Sequence, residues 1–303
     1  MITTDVAEAA ARLRAGGLVA MPTETVYGLA ADATDRAAIA RIYAVKGRPA
    51  DHPLIVHVAD PDDVATLIPD LPDTARRLGA AAWPGPLTVI VRRPPGLPPE
   101  VAGGRDTVGI RVPAHPTARE LIRCAGVPVA APSANRFGSV SPTSAAHVER
   151  DLGDRLDRGR DAILDGGSSE VGVESTIVDC VSDPVQILRA GAITRDHVHE
   201  LLGAVADASG PARASGMLAS HYAPACQVRL VDSADDAIAL RAGTPGSRVL
   251  DLTDDPVRYA RDLYAELRRA DDDGVSTLVA VLPEPAGLGH AIRDRLTKAA
   301  APR

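Results

Sequence analysis

The sequence predicts an α/β protein in two unequal units, a larger one built on a twisted mixed sheet with flanking helices and a small one built on a parallel sheet. Three observations carry this. Short β-branched runs alternate with segments of helical periodicity through the first two thirds of the chain. Near residues 173–190 strand-like runs follow one another with no helix between them, which reads as a hairpin and makes the sheet mixed. Beyond residue 224 the order becomes βαβαβα, the pattern of a small parallel sheet.

In chain order, the larger unit is expected over 1–203, with strands at 18–21, 54–58, 87–91, 108–112, 127–131, 177–180 and 185–188. Helical spacing marks 5–15, 35–45, 61–68, 73–82, 116–125, 143–152 and 194–202, several opened by Asp, Thr or Pro, the residues that suit helix starts. Over 204–224 the pattern stops, and the run from Ala206 to Gly216, rich in small residues, reads as an exposed linker. The second unit, 225–303, has strands expected at 227–231, 248–252 and 277–282 and helices over 233–242, 255–270 and 288–300. No internal repeat relates the two units.

Composition bounds the function. Of the 303 residues 45% are hydrophobic but only 2% aromatic, so the core must be aliphatic and base stacking on aromatic platforms is not expected. A net charge of −7 argues against a broad electrostatic grip on nucleic acid, and any RNA contact should be local or partner-assisted. Cys124, Cys180 and Cys226 show no CxxC spacing, so neither a disulfide framework nor a zinc knuckle is indicated. With no signal-like start and no apolar run of membrane-spanning length, a cytoplasmic protein is expected.

Lys46 stands out chemically, because it and Lys298 are the only lysines among 33 basic residues. In Ala44-Val45-Lys46-Gly47-Arg48-Pro49 it offers a compact ammonium two positions from a guanidinium fork, a pair suited to an anion. A solvated lysine at a helix end is the plainer alternative. Pro22-Thr23-Glu24-Thr25-Val26-Tyr27-Gly28 follows a strand and is expected to precede a helix, collecting two hydroxyls, a carboxylate and a phenol. In His52-Pro53-Leu54-Ile55-Val56-His57 the two histidines lack a convincing metal-ligand spacing, so no histidine-bound metal is expected. Arg111 interrupts an apolar strand and needs an anion, either a ligand carboxylate or a protein carboxylate such as Glu24 or Glu174. Ala131-Pro132-Ser133-Ala134-Asn135 and Ser139-Val140-Ser141-Pro142-Thr143 form a hydroxyl-rich turn before a helix, a place suited to phosphate. Glu174-Ser175-Thr176 and Arg189 add hydroxyls and a further cation at strand ends.

No Gly-x4-Gly-Lys-[Ser/Thr] loop, Gly-x-Gly-x-x-Gly turn or Gly-x-Ser-x-Gly elbow is present. A site of cations and hydroxyls without a nucleophile fits polyphosphate binding and group transfer by positioning. The segments Pro22 to Gly28, Lys46 to Pro49, His52 to His57, Pro132 to Asn135 and Glu174 to Ile177, in that order, resemble those of the YrdC-type threonylcarbamoyl-AMP synthases over roughly residues 6–203. Gly216-Met217 and His221-Tyr222-Ala223-Pro224 resemble the linker of the two-domain members, although Leu218, Ala219 and Ser220 stand where the family commonly has basic residues.

The resemblance implies a YrdC-like fold and an enzyme that condenses L-threonine, bicarbonate or CO2, and ATP into L-threonylcarbamoyladenylate with release of pyrophosphate, for threonylcarbamoyladenosine modification of tRNA. It implies threonine around Thr25, His57, Arg111, Ala131 and Ser175, with Arg111 facing the carboxylate. ATP would lie around Arg48, His52, Thr107, Ser133, Ser141 and Arg189, with Tyr222 folding over the nucleotide and Mg2+ on its phosphates. Lys46 would sit between the substrates and, with Arg48, carry catalysis. A downstream tRNA threonylcarbamoyl transferase is the expected partner, with direct tRNA binding weak or absent. An RNA-binding module, a carbamoyl transferase of the hydrogenase-maturation type and a structural adaptor are the competing classes.

Overall fold

The computed structural model describes residues 1–209, 214, 216–217 and 221–302. Its large sheet has eleven strands: β1 (Ile2–Thr3), β2 (Val19–Met21), β3 (Gly28–Asp32), β4 (Ile55–His57), β5 (Leu87–Arg92), β6 (Thr107–Arg111), β7 (Val129–Ala130), β8 (Ala162–Leu164), β9 (Thr176–Asp179), β10 (Gln186–Arg189) and β11 (Ala206–Asp207). Their spatial order is β1-β8-β2-β3-β7-β4-β6-β5-β9-β10-β11. Parallel and antiparallel pairings are interspersed, as the hairpin expected near 173–190 requires: β4 runs parallel to β6 and β5 to β9, while β9 and β10 are antiparallel.

Helices α1 (Val6–Arg14), α2 (Arg36–Lys46), α3 (Pro61–Leu67), α4 (Asp73–Ala82), α5 (Pro116–Ala125), α6 (Ala145–Leu152) and α7 (Arg195–Leu202) accompany this sheet. Their starts follow from the sequence: the Asp35 carboxylate accepts from the amides of Ala37 and Ala38, Pro116 opens α5, and Ser144 accepts from His147 N. Gly47, at φ +63°, ends α2 directly after Lys46 in a left-handed turn that only glycine adopts without strain. Leu29, Ile39, Val56, Val89 and Ile110 belong to the aliphatic core of this unit.

The second unit contains β12 (Gln227–Val231), β13 (Ser247–Leu250) and β14 (Thr277–Val281) in the order β12-β14-β13, all parallel, with α8 (Ala234–Ala242), α9 (Pro256–Asp272) and α10 (Gly289–Ala300). The two units share a core. Val26, Val140 and Val173 of the first cluster with Tyr259, Leu263, Tyr264, Leu267 and Leu296 of the second. Across the same boundary Arg268 on α9 pairs with Asp151 on α6 at 2.6 Å.

Two expectations are corrected. The segment 22–28 leads into β3, which pairs antiparallel with β2, and α2 follows only afterwards. Gly28-Leu29-Ala30-Ala31-Asp32 has little β propensity, and it forms a strand because β2 and β7 flank it. The stretch 204–224 is only in part exposed where it is described: Ala204 and Asp207 to Ser209 are exposed, but β11 extends the sheet beside β10, and Val205, Ala214, His221, Tyr222 and Ala223 are buried. Residues 210–213, 215 and 218–220 of that stretch lie outside the described residues. Among those described, no helix is long and apolar enough to cross a membrane.

Gly172 lets the first unit's backbone pass close against α9. Its φ is +77°, and a Cβ there would meet the carbonyl oxygens of Arg261 at 2.3 Å and Ala260 at 2.5 Å, both on α9. Gly172→Ala should therefore cost about 2–4 kcal/mol, left-handed strain plus overpacking, read as a lowered denaturant midpoint for the full chain.

Candidate functional site

Strand ends of the first unit and the 221–222 segment enclose a narrow cleft of about 50 Å³. Thr25, Arg48, His57, Arg111, Ala131, Ser133, Arg189 and Tyr222 line it, so eight of the residues singled out from the sequence meet there. Thr25 is placed by the turn after β2, where Thr23 Oγ1 accepts from the amides of Thr25 and Val26, each at 3.2 Å. His57 and Arg111 are register partners on the parallel strands β4 and β6. Ser133 is brought in by a bridge to Gly28.

Arg111 is buried and donates from Nη2 to Glu24 Oε1 at 2.6 Å, so Glu24 is the protein partner and Glu174 is not. Arg111 Nε has no hydrogen-bond partner despite its burial. A guanidinium held from one side, with a buried donor still unsatisfied, is suited to a second anion.

Lys46 lies behind the lining, 2% exposed, with Nζ donating to the carbonyls of Ser133 at 2.6 Å and Asn135 at 2.5 Å. It is not a solvated helix-end lysine. Burial and the nearby Arg48 push its ammonium well below the usual lysine range, with Asp151 opposing. Burial also lowers Arg48, to about 10; its Nη2 donates to Pro53 O at 2.9 Å and its guanidinium lies 5.7 Å from the Phe137 ring centroid. Burial and then Arg111 hold the His57 imidazole down at about 3, so the ring is neutral, with Nδ1 3.1 Å from Ile55 O.

On the opposite wall Arg189 donates from Nε to Ser175 O and from Nη2 to Ser175 Oγ, both at 3.0 Å, and Ser175 Oγ lies 2.7 Å from Thr88 Oγ1. Glu174 is the cleft's buried carboxylate. Its Oε1 accepts from Ser141 Oγ at 2.6 Å and its Oε2 from Tyr264 Oη and Arg295 Nε, each at 2.7 Å. Burial pushes this carboxyl up, but Arg295, Arg189 and the Ser141 hydrogen bond outweigh it and hold it at about 2.

Four further residues singled out from the sequence do not line this cleft. Ser141 and Ser175 are fully buried behind it, so the hydroxyl-rich turn expected to face a phosphate instead points Ser141 at Glu174. His52 packs edge-on against Phe137, with centroids 5.3 Å apart. Thr107 lines an adjoining cleft with Ile55, Ile177 and Ala214. Sequence reading named the segments of Gly216 and His221 but gave neither residue a place in the site, and it missed the attachment of Glu174 to the second unit. Among the described residues no group of three or more His, Cys, Asp or Glu is arranged to hold a metal ion.

The buried titratable groups set an acid limit. His57 and His221, each held near 3 against an ordinary 6.5, are neutral when folded, and Glu174, near 2 against 4.5, is ionised. In both cases the unfolded chain binds more protons in acid, so this stability is full above pH 6.5; the histidine part is lost below 6.5 and the Glu174 part below 4.5. Melting temperature should fall as pH drops from 6.5 to 4.5, and His57→Gln should make that fall shallower.

Known proteins share both units. The Sua5/YciO/YrdC family model, described as Telomere recombination, matches residues 11–191, and the model for Threonylcarbamoyl-AMP synthase, C-terminal domain, matches 193–301. Threonylcarbamoyl-AMP synthase of Pyrococcus abyssi is 38% identical over 318 residues, 96% of this chain and 92% of its own length. That of Bacillus subtilis is 38% identical over 327 residues, 98% of this chain and 93% of its own. The crystal structure of P. abyssi Sua5 complexed with L-threonine matches with a TM-score of 0.89 at 37% identity, covering 97% of this chain and 94% of that chain. The chain thus belongs to the Sua5/YciO/YrdC family and, across both units, to its threonylcarbamoyl-AMP synthases, a family of enzymes.

Proposed function

We propose that this protein joins L-threonine, bicarbonate or CO2, and ATP into L-threonylcarbamoyladenylate, releasing pyrophosphate, and so supplies a tRNA threonylcarbamoyl transferase. The observation that carries the reading is the charge gathered at one cleft. Arg48, Arg111 and Arg189 line it and Lys46 and Arg295 lie buried behind it, against the carboxylates of Glu24 and Glu174. Such an excess of buried cation is suited to anionic substrates.

In this reading threonine's carboxylate takes the open side of Arg111, beside Thr25, His57, Ala131 and Ser175. The triphosphate spans Arg48 and Arg189, with Ser133, His52 and Thr107 around the nucleotide and Tyr222 over it, while Ser141 acts from behind the cleft through Glu174. Glu24 and Glu174 are bound to arginines, so Mg2+ enters as the counter-ion of the triphosphate and not on a protein ligand set.

Threonine's amine adds to CO2, losing a proton, and one oxygen of the resulting carbamate attacks the α-phosphorus. The bond from that phosphorus to the bridging oxygen breaks and pyrophosphate leaves. No protein nucleophile is needed. Two N–H groups of Lys46 are held by carbonyls, leaving the third for a carbamate or phosphate oxygen. Alignment and charge neutralisation then supply the acceleration.

Pyrophosphate release should require threonine, bicarbonate and ATP together, and release that persists without threonine or bicarbonate would refute the reading. Lys46→Ala should cost about 2.7–4 kcal/mol in kcat, the scale of a lost oxyanion donor, and near-normal turnover would remove Lys46 from that role. Arg111→Gln should raise KM for threonine by about tenfold or more while changing KM for ATP little, as expected for a lost charged hydrogen bond to one substrate.

A further inference from the structure

Arg295, on α10 of the second unit, has one of the largest side chains in the protein to be fully buried, with 0% exposure. Its fork reaches two cleft-lining residues, Glu174 and Tyr222, and the carbonyl of Ala190 next to a third, Arg189. Nε donates to Glu174 Oε2 at 2.7 Å, Nη2 donates to Ala190 O at 2.9 Å, and the guanidinium carbon lies 5.2 Å from the Tyr222 ring centroid. Asp294 binds the remaining side of the guanidinium. Tyr264, on α9, donates to the same Glu174 oxygen at 2.7 Å, and its ring lies 5.6 Å from that of Tyr222. The carbonyl of Lys298, also on α10, accepts from His221 N at 3.3 Å.

These contacts converge on one side of the cleft. Ala190 follows Arg189 directly. Tyr222 has φ +61°, in the left-handed region that a tyrosine adopts only when its surroundings hold it there. A Cβ on Gly216 would meet Tyr222 Oη at 2.7 Å and Arg189 Cδ at 2.9 Å, so both side chains close around that glycine. Arg295 is absent from the cleft lining, and its hydrogen bonds go to Glu174, Asp294 and Ala190, not to Thr25, His57 or Arg111.

We infer that Arg295, with Tyr264, is a positioning residue contributed by the second unit: it fixes Glu174, the Ala190 carbonyl and the Tyr222 ring, and so sets the nucleotide side of the cleft. This rests on the proposed adenylate-forming reaction for its choice of substrate. Arginine is required because only a planar fork satisfies a carboxylate and a carbonyl while stacking on a ring; lysine keeps the charge and loses the geometry. The second unit is then part of the site and not an appendage.

The test uses full-length Arg295→Lys and Tyr264→Phe, the latter removing a single oxygen. Each should raise KM for ATP roughly tenfold, the scale of one lost hydrogen bond to a charged group, with KM for threonine within about twofold of the parent. In a Glu174→Gln background the effect of Tyr264→Phe should largely vanish, because both act through one carboxylate. A fall in kcat with both KM values unchanged, or an equal rise in both, would mark these residues as merely structural and overturn the inference. Unaltered kinetics in both variants would do the same. If the parent protein releases no pyrophosphate, the reaction assignment fails. The inference is then judged on the Kd of a non-hydrolysable ATP analogue, which should weaken roughly tenfold in both variants and would overturn it if unchanged.

Discussion

The structure depends on keeping several cations buried beside one cleft in an otherwise aliphatic, acidic protein. The chain carries a net charge of −7, yet Lys46, Arg48, Arg111, Arg189 and Arg295 are all buried around this single cleft. Desolvating a charge is costly unless hydrogen bonds or counter-charges compensate. The fold supplies these in three ways: carbonyl oxygens for Lys46 and Arg48, Glu24 for Arg111, and Glu174 for Arg295. Compensation by carbonyl dipoles leaves net positive charge in place, which a triphosphate and a carboxylate are suited to neutralise.

The sheet explains how residues distant in sequence reach that cleft. Parallel pairing of β4 with β6 sets His57 beside Arg111, parallel pairing of β5 with β9 brings Thr88 to Ser175, and the antiparallel β9–β10 hairpin returns Arg189 to Ser175. The left-handed Gly47 stops α2 so that Lys46 turns inward to the Ser133 and Asn135 carbonyls. Through Glu174 the second unit is bound into the same arrangement, and the shared apolar cluster of Val140, Val173, Tyr259 and Leu263 holds the two units in register.

Much of this was legible in the sequence, for identifiable reasons. Strands β4, β5 and β6 are rich in branched aliphatics, and the parallel unit announces itself by its βαβαβα order. β1 and β11 were missed because each has only two residues and exists through its neighbour, and β3 because alanine and glycine carry no strand signal. Lys46 and Arg111 were legible as chemical exceptions, one a lysine among arginines and the other a charge within an apolar run. That Arg111 takes Glu24 while Glu174 takes Arg295 was not, because the choice is made by tertiary contact across 87 and 121 residues. Arg295 itself sits between Arg293 and Lys298 on a helix and reads as part of a solvated face. Only the packing of α10 against Glu174 distinguishes it.

The central claim is that one cleft holds an amino acid and a nucleotide side by side with phosphorus facing a carbamate. A crystal structure of the full chain with L-threonine and a non-hydrolysable ATP analogue tests it most directly. The account predicts the threonine carboxylate on Arg111, the phosphates across Arg48 and Arg189, and threonine's nitrogen facing the α-phosphorus. Either ligand bound instead in the separate groove formed by Val58, Asp63, Ile122 and Val127 would contradict it.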